Sequence, residues 1–336
     1  MDYRRTVTQR HILDFRAGNA WADAHAHAFS AARTVAWADP SHPSSEGRRA
    51  ATWLQAAEAT VREISGFPHV AFVPNRRDAL ALALASQAPQ PVQAANTHQR
   101  WLLPFATAVR AVDHEGIAQF TSEGTVLLQA ANAETGVIDR GSAAFTVLDA
   151  TATFGRVPIS GSPDIVIADA RAWGSPIDIA LVLSQQPIEP SAGVQVSDVT
   201  VAIDQLTRVW QHQQQRSSAE AAAMQACEAQ ILRSVPDVDV HGTDRVPHIR
   251  SFSVLHLDGE TLMRALDVAG YVVGSGSACV QDGTPSHVLA AMGGITHGNI
   301  RLALPTDLEL EVLDDFAATL ATIVTRLRRE AGVADL

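Results

Sequence analysis

A cysteine at the end of a glycine- and serine-rich run is the most distinctive chemical feature of the sequence. The run Gly274–Cys279 reads Gly-Ser-Gly-Ser-Ala-Cys. A cysteine on such a loop is accessible, as a nucleophile or a sulfur carrier must be. A tight turn that ends in an inert small residue explains the same pattern. The second cysteine, Cys227, falls on an apolar helical face and is expected to pack in a core.

Polar side chains follow two of the apolar runs that we interpret as buried strands. Asp149 comes directly after Phe145–Leu148, and Asn132 and Glu134 come shortly after Thr125–Gln129. Because ligands of open α/β sheets bind at the carboxyl ends of the strands, these residues are candidates for a binding site. The alternative is that they close turns.

Arg301 lies inside the predicted strand Asn299–Leu304. A half-buried guanidinium can bind a carboxylate through two parallel hydrogen bonds, which makes Arg301 a candidate for gripping a substrate. An ion pair with one of the many acidic residues of the chain is the alternative.

The spacing Asp23-x-His25-x-His27 is one that metal-dependent barrel hydrolases use on a strand. The surrounding alanine-rich stretch does not have the pattern of a strand. Such enzymes also need further ligands on later strands, so we assign no metal. Two cysteines are likewise too few for a disulfide framework or a four-cysteine metal site.

All 25 basic residues are arginine, and the chain of 336 residues contains no lysine. No side chain can therefore form a Schiff base with a carbonyl cofactor or substrate, and no P-loop lysine is available. The 36 acidic residues give a net charge of −11, which argues against nucleic acid and anionic membranes as partners. No apolar segment is long enough to cross a bilayer, so the sequence predicts a cytoplasmic protein.

Alternating helical and strand patterns predict an α/β fold. The predicted helices are Arg48–Ile64, Asp78–Ser86, about Ser197–Ser234, Glu260–Ala269 and Leu308–Arg329. The predicted strands are His69–Val73, Thr125–Gln129, Phe145–Leu148, Asp164–Ala168, Ile177–Leu183, Ile249–Leu257 and Asn299–Leu304. Ser184–Ser197 has the composition of a linker, and the last third of the chain has the pattern of a second, α+β domain.

Several segments, in matching order and spacing from about residue 12 to 330, resemble the motifs of cysteine desulfurases. These are class V aminotransferase members of the fold-type I pyridoxal-phosphate (PLP) enzymes. The segments are Ile12-Leu13-Asp14, Thr97-His98, Ala131–Ile138, Leu148–Thr151, Ser275–Cys279, Pro285–Leu289 and Asn299–Leu302.

The resemblance implies a large domain, with a mainly parallel seven-stranded sheet between helices, and a smaller α+β domain. It divides the chain into an N-terminal arm, 1–35, that joins the small domain, a large domain, 36–235, and a small C-terminal domain, 236–336. The small domain carries the Cys279 loop. A homodimer is implied as well, with a heterodimer that includes an intact paralogue as the other possibility.

By the same resemblance, Cys279 corresponds to the loop cysteine that takes the substrate sulfur, and Arg301 to the arginine that binds the substrate carboxylate. Asp149 corresponds to the aspartate that pairs with the pyridine nitrogen of PLP. His98 corresponds to the histidine that stacks on the ring. Asn132 belongs to a matching segment of the cofactor site.

Other residues depart from the family pattern. The Schiff-base lysine falls on Ala172, and the serine and histidine that hold the cofactor phosphate fall on Asp169 and Arg171.

The other phosphate loop reads Val73–Asp78, in which Arg76 or Arg77 could supply charge or pair with Asp169. Further losses are Ala133 and Ala152, where the family has an asparagine and a glutamine, and the segment lent by a partner subunit is not recognisable around Pro187–Val199.

These losses lead to three hypotheses. The first is a degenerate desulfurase-like protein without bound PLP, which binds an active desulfurase, a sulfur acceptor or an iron–sulfur scaffold. The second is a PLP-independent sulfurtransferase that relays a persulfide on Cys279. The third is an enzyme that binds PLP or its aminated form without a lysine and acts on an amino acid, with His98 or Cys279 as the base.

Overall fold

The computed structural model describes residues 10–15, 23–189, 193–276 and 285–333. Its strands are β1 (His11–Ile12), β2 (His69–Val73), β3 (Val92–Ala95), β4 (Ala108–Arg110), β5 (Thr125–Gln129), β6 (Phe145–Asp149), β7 (Ile165–Asp169), β8 (Ala180–Ser184), β9 (Val238–Val240), β10 (Ile249–Val254), β11 (Tyr271–Val272) and β12 (Asn299–Ala303). Its helices are α1 (Asp23–Val35), α2 (Ser45–Ser65), α3 (Arg76–Ala85), α4 (Val196–Ser234), α5 (Gly259–Val268), α6 (His287–Met292) and α7 (Val312–Glu330).

Seven strands form a central sheet in the order β2-β8-β7-β6-β5-β3-β4. The strands from β7 to β4 are parallel, whereas β8 runs antiparallel to both of its neighbours. All five positions of β5, β7 and β8 are buried, because strands covered on both faces carry continuous apolar runs. The predicted α/β fold with a mainly parallel, seven-stranded sheet is confirmed.

One apolar layer on the sheet is built around α2 and the first half of α4. It joins Val61 of α2 and Leu206 of α4 to Val126 of β5. Helix α2 begins after Ser44, whose side chain accepts a hydrogen bond from the Gly47 amide, and ends at Gly66. Gly66 adopts a φ of 76°, a left-handed conformation that a residue without Cβ reaches without strain.

The last third of the chain has an antiparallel sheet of its own, in the order β12-β10-β9. Strand β1, near the N-terminus, pairs with β11, and the amide of Ala303 donates to the carbonyl of Leu13. The segment 11–15 is therefore anchored on the C-terminal third. Helix α1 instead contacts α2 and α4, and the division of the chain into domains stays a prediction.

Helix α4 is continuous over 39 residues and belongs to both halves of the molecule. Residues of its first half, such as Val199 and Leu206, pack in the layer on the central sheet. Residues of its second half, Met224, Cys227 and Ile231, pack with α7 in the C-terminal core. The predicted core position of Cys227 is confirmed, since its side chain is fully buried.

The predicted elements differ from the observed ones mainly at their ends. The predicted strand Ile177–Leu183 starts later, at Ala180, because Ser175 and Ile177 form a turn closed by the Ser175 hydroxyl. The predicted strand Ile249–Leu257 ends at Val254, ahead of a turn in which His256 has a φ of 65°. Among the residues that the structure describes, no helix is long and apolar enough to span a bilayer.

Candidate functional site

The carboxyl ends of the parallel strands meet at one edge of the central sheet, and Asp149 ends β6 there. Both of its carboxylate oxygens accept hydrogen bonds: Oδ1 from the Thr151 amide at 3.0 Å and Oδ2 from Gln129 Nε2 at 3.3 Å. Gln129 ends the neighbouring strand β5, directly opposite Asp149 in the register. The predicted place of Asp149 at a strand end is confirmed, and Gln129 is a partner that the sequence analysis missed.

His98 follows β3 at the same edge and is completely buried. Its Nε2 lies 2.6 Å from Asp139 Oδ2, and the same oxygen accepts a hydrogen bond from the Gln129 amide at 2.8 Å. The carboxylate of Asp139 thus fixes the orientation of the imidazole ring. His98 Nδ1 is buried without a hydrogen-bond partner among the described residues.

Asn132 organises the turn that follows β5. Its side-chain oxygen accepts hydrogen bonds from the amides of Glu134 and Thr135, and its Nδ2 donates to the carbonyl of Thr97 at 2.8 Å. Asn132 therefore closes a turn, which is the alternative that the sequence analysis gave for it. The contact with Thr97 also holds the residue next to His98 in place.

The start of α3 faces the end of β7. The side chain of Asn75 caps α3, and its Oδ1 accepts hydrogen bonds from the amides of Arg77 and Asp78. Arg76 lies with its guanidinium 4.8 Å from the centre of the Trp101 ring and with Nε 4.0 Å from Asp169 Oδ2. The Arg77 side chain, which the sequence analysis proposed for this place, belongs to an exposed residue.

Asp169 is a buried carboxylate with weak compensation. Its Oδ1 accepts a hydrogen bond from the Arg171 amide at 3.0 Å, whereas the Arg76 and Arg171 side chains lie 4.0 and 3.9 Å away. Burial raises the pKa of the Asp169 carboxyl above its ordinary value, and the nearby charge of Asp178 acts in the same direction. The Asp169 carboxyl therefore lies in a poorly solvated place, without a cation of the described residues at hydrogen-bond distance.

Ala172 follows Asp169 in a short 3-10 turn, Ala170–Trp173. It packs against a small apolar cluster that includes Phe15, Ala131, Ala152 and Ala303. The position that the resemblance assigns to the Schiff-base lysine thus carries a methyl group beside other apolar side chains.

Arg301 and Asp14 form a buried ion pair. Arg301 Nη2 donates to Asp14 Oδ2 at 2.5 Å, and both side chains are at least 96% buried. A Cβ on residue 274 would lie 1.8 Å from Asp14 Oδ2, so only glycine leaves room for the pair. The ion-pair alternative for Arg301 is the one that the structure contains.

Cys279 lies outside the described residues, but the base of its loop is described. The Gly276 amide donates to Asn299 Oδ1 at 2.9 Å. A Cβ on residue 276 would lie 1.8 Å from a carboxylate oxygen of Glu134, so the loop base passes close to that side chain. Burial raises the pKa of the Cys227 thiol to about 12, which lowers its reactivity as a nucleophile.

The stretch Asp23–His27 lies in the helix α1 rather than in a strand. Within the described residues, no group of three or more His, Cys, Asp or Glu side chains is arranged to hold a metal ion. The spacing of Asp23, His25 and His27 is therefore not that of a strand-borne ligand set.

The residues of this site do not fit the PLP phosphate. Amides at the start of a helix can bind an anion, but two of those at the start of α3, from Arg77 and Asp78, already donate to the Asn75 side chain. Asp169 places a buried carboxylate 4.0 Å from Arg76, the α3 side chain that forms an ion pair with it. At the end of β6, Asp149 Oδ2 accepts a hydrogen bond from the side-chain nitrogen Nε2 of Gln129.

Three partners at this site were not found by sequence reasoning: Asp139, Gln129 and Asn75. Asn75 carries a detectable signal, because an asparagine directly before a helix is a common N-terminal cap. Asp139 and Gln129 carry none, since their roles depend on neighbouring strands being brought together.

No family model matches the chain. It is 37% identical over 107 residues to a cysteine desulfurase of Klebsiella pneumoniae, which is 30% of this chain and 27% of that protein. It is 32% identical over 105 residues to the cysteine desulfurase IscS of Dictyoglomus turgidum, again 30% and 27% of the two chains. The matched segment thus spans about a quarter of the length of these curated relatives.

Solved structures are similar over almost the whole chain. A NifS-like protein superposes with a TM-score of 0.80 and 17% identity, covering 95% of this chain and all of that one. A NifS-like protein from Rickettsia africae gives a TM-score of 0.74 and 18% identity, covering 94% and 99% of the two chains. These similarities confirm the fold that the motifs predicted.

Proposed function

Because this chain is related to the cysteine desulfurases and has the fold of NifS-like proteins, we propose that it does not catalyse PLP-dependent sulfur release. Its role in this proposal is that of a binding or regulatory subunit in sulfur transfer or iron–sulfur assembly. The partners that we propose are an active desulfurase, a sulfur acceptor or an iron–sulfur scaffold protein, bound by a homodimer of this chain.

The observation that carries this proposal is the absence of lysine from the sequence, with Ala172 at the position that the resemblance assigns to it. In PLP chemistry that amine holds the cofactor, activates its carbonyl carbon and moves a proton at the substrate Cα. A methyl group does none of these. No realignment supplies another amine, because all 25 basic residues are arginine.

Contacts at the phosphate end of the site support the same proposal. Asn75 accepts hydrogen bonds from two of the amides at the start of α3, and Asp169 places a buried carboxylate at the end of β7. Bringing a phosphate dianion to this place would set like charges together where water does not screen them. The loss of the lysine and the changed phosphate end thus act in the same direction.

The test is an absorption spectrum of the protein after incubation with PLP and removal of excess cofactor, together with sulfide release from L-cysteine. An established cysteine desulfurase at equal concentration is the positive control. We expect no pyridoxal band and no sulfide above background, from the wild-type chain and from Ala172→Lys alike. A band that Asp149→Ala abolishes, together with sulfide release, would favour a lysine-free PLP enzyme and overturn the proposal.

A second candidate function, a persulfide relay on Cys279, is favoured by the anchored base of its loop. The Gly276 amide is held by Asn299, and Gly274 pairs with Arg301 through two backbone hydrogen bonds. In the relay, the Cys279 thiolate attacks the outer sulfur of a donor persulfide. The donor S–S bond breaks, a new S–S bond forms on Cys279, and the donor cysteine leaves as a thiolate.

The relay is tested by incubating the protein with an active desulfurase and L-cysteine and then measuring the masses of its peptides by mass spectrometry. A gain of one sulfur atom on the Cys279 peptide supports the relay, and Cys279→Ser is expected to abolish it. Cys227→Ala is the matched control, because its thiol is buried. If the Cys279 peptide stays unmodified while the desulfurase's own acceptor protein gains sulfur in the same reaction, the relay is excluded.

A further inference from the structure

Four neighbouring strands each carry, at their carboxyl ends, a side-chain acceptor that receives no hydrogen bond from the described residues. Strands β7, β6, β5 and β3 lie side by side and are parallel, so these ends share one edge of the sheet. Three of the acceptors are buried atoms without a partner, and the fourth is an oxygen of the buried Asp169. They are Asn96 Oδ1, Gln129 Oε1, Thr151 Oγ1 and Asp169 Oδ2.

The strand registers place most of this row on one face of the sheet. Gln129 lies opposite Asp149, and Asp149 lies opposite Ile167, two residues before Asp169. Because side chains alternate along a strand, Gln129, Asp149 and Asp169 point to the same side. Continuing the pairing of β3 with β5 places Asn96 beside Gln129, on that side as well.

Buried acceptors without donors are uncommon in folded proteins, because such atoms lose their hydrogen bonds to water and gain none in return. An unexplained row of them therefore indicates a bound group that supplies the donors. Gln129 is the firmest member of the row, since it is 1% exposed while its amide nitrogen holds Asp149. A matching ligand offers several N–H or O–H groups.

The charges at this edge select the sign of that ligand. Asp149 and Asp169 are both buried, and the Arg76 side chain stays 4.0 Å from Asp169, beyond hydrogen-bond distance. The other nearby cation, Arg171, lies 3.9 Å from Asp169 Oδ1 and pairs with Asp178 at 3.0 Å. The Asp169 carboxylate would attract a positively charged group, whereas it would repel a phosphate or a carboxylate.

We propose that this edge of the sheet binds a small organic ammonium compound without a phosphate group, whose N–H donors bond to Asp169 and to members of the row of acceptors next to it. The proposal rests on the proposed function insofar as PLP does not occupy the same space. It assigns to the site a ligand of opposite charge to the phosphate end of that cofactor.

Isothermal titration calorimetry of the full chain tests it with ethanolamine, 1,4-diaminobutane and spermidine as probes. Neutral 1,4-butanediol and inorganic phosphate are the matched comparisons. We expect saturable binding of at least one amine, binding of the diol at least about tenfold weaker, and no heat from phosphate, because the main contact is to a charged group. No saturable binding of any of the three amines would overturn the proposal, as would tighter binding of phosphate.

Variants separate this edge from general attraction of amines to an acidic protein. Asp169→Asn is expected to weaken amine binding about tenfold, and the isosteric Thr151→Val about threefold. Glu63→Gln removes an exposed carboxylate on α2 and serves as the charge-matched control. Equal weakening by Asp169→Asn and Glu63→Gln would overturn the proposal.

Two measurements keep these outcomes clear. Because Thr151 Oγ1 makes no hydrogen bond with the described residues, Thr151→Val is expected to fold normally, which its circular dichroism and melting temperature verify. The amine titration contains no chromophore, whereas PLP binding is read from its absorption band. Failure of the proposed function and failure of this inference are therefore seen in different experiments.

Discussion

The carboxylate of Asp14 lies 2.5 Å from the guanidinium of Arg301, and 287 residues of chain separate the two. The pair joins the N-terminal segment to β12 in the interior of the C-terminal third. A residue that the motif marks as a substrate contact is thereby part of the internal framework of this chain.

Removing one charge of this pair is expected to destabilise the fold strongly. Asp14→Asn leaves Arg301 buried without a countercharge, so we expect the free energy of unfolding to fall by about 3 kcal/mol. Urea denaturation measures it. The exposed pair Arg10–Asp267 is the control, and Asp267→Asn is expected to change it by about 0.5 kcal/mol or less. Equal effects of the two variants would show that burial does not set the strength of the Asp14 pair.

Asp169→Asn is expected to stabilise the protein at neutral pH, by on the order of 1 kcal/mol. Burial raises the pKa of this carboxyl, so the native state binds its proton more tightly than the unfolded state does. The wild-type chain therefore gains stability from this group as the pH falls, and the advantage of the variant shrinks. Unfolding curves at pH 7.5 and near pH 4 measure the difference, and a variant less stable at pH 7.5 would contradict the assignment.

His248 is expected to make the protein acid-sensitive. The ring is fully buried, lies 2.8 Å from the Ala152 carbonyl and is close to Arg156 and Arg250, so burial and these charges hold its pKa well below the ordinary value. Below about pH 6.5 the unfolded chain takes up a proton that the native chain does not. As the pH decreases below this value, this group lowers the free energy of unfolding by about 1.4 kcal/mol per pH unit.

The variant His248→Gln checks this pH dependence, because its amide can still donate to the Ala152 carbonyl. We expect its stability to vary less between pH 6.5 and 5 than that of the wild-type chain. His256→Gln, in a turn of the C-terminal third, is the comparison. An unchanged pH profile in His248→Gln would refute the role of this residue.

The Cys227 thiol is expected to resist modification in the folded protein. With its pKa raised to about 12, its thiolate fraction at pH 8 is on the order of a thousandfold below that of a free cysteine. The variant Cys279→Ser leaves Cys227 as the single cysteine of the chain. Its labelling by a thiol reagent before and after unfolding measures the protection, and rapid labelling of the native variant would contradict it.

The strands of the central sheet could be predicted well because their residues carry the signal themselves. Thr125–Gln129 and His69–Val73 are continuous apolar or β-branched runs bounded by polar or turn residues, and both ranges match the structure. The short strands β3 and β4 were missed, since the Ala-rich run of β3 does not differ in pattern from a helical segment.

The candidate site was predictable only where one residue suffices to mark it. Asp149 and Asn132 could be located from the strands that precede them. The partners Asp139, Gln129 and Asp14 could not, because each contact joins residues that are distant in sequence. For Arg77, the sequence left two neighbouring arginines equivalent, and the direction of the first turn of α3 makes Arg76 the one that approaches Asp169.

The length of α4 has a mechanical consequence. At 1.5 Å per residue its 39 residues extend about 58 Å, and the same rigid rod is embedded in the cores on both sides. Buried Glu220 on this rod also binds Arg156 from the segment after β6. A rotation of one half of the molecule relative to the other would break α4 or remove it from one of the two cores. We therefore expect the two halves to unfold together in a single cooperative transition.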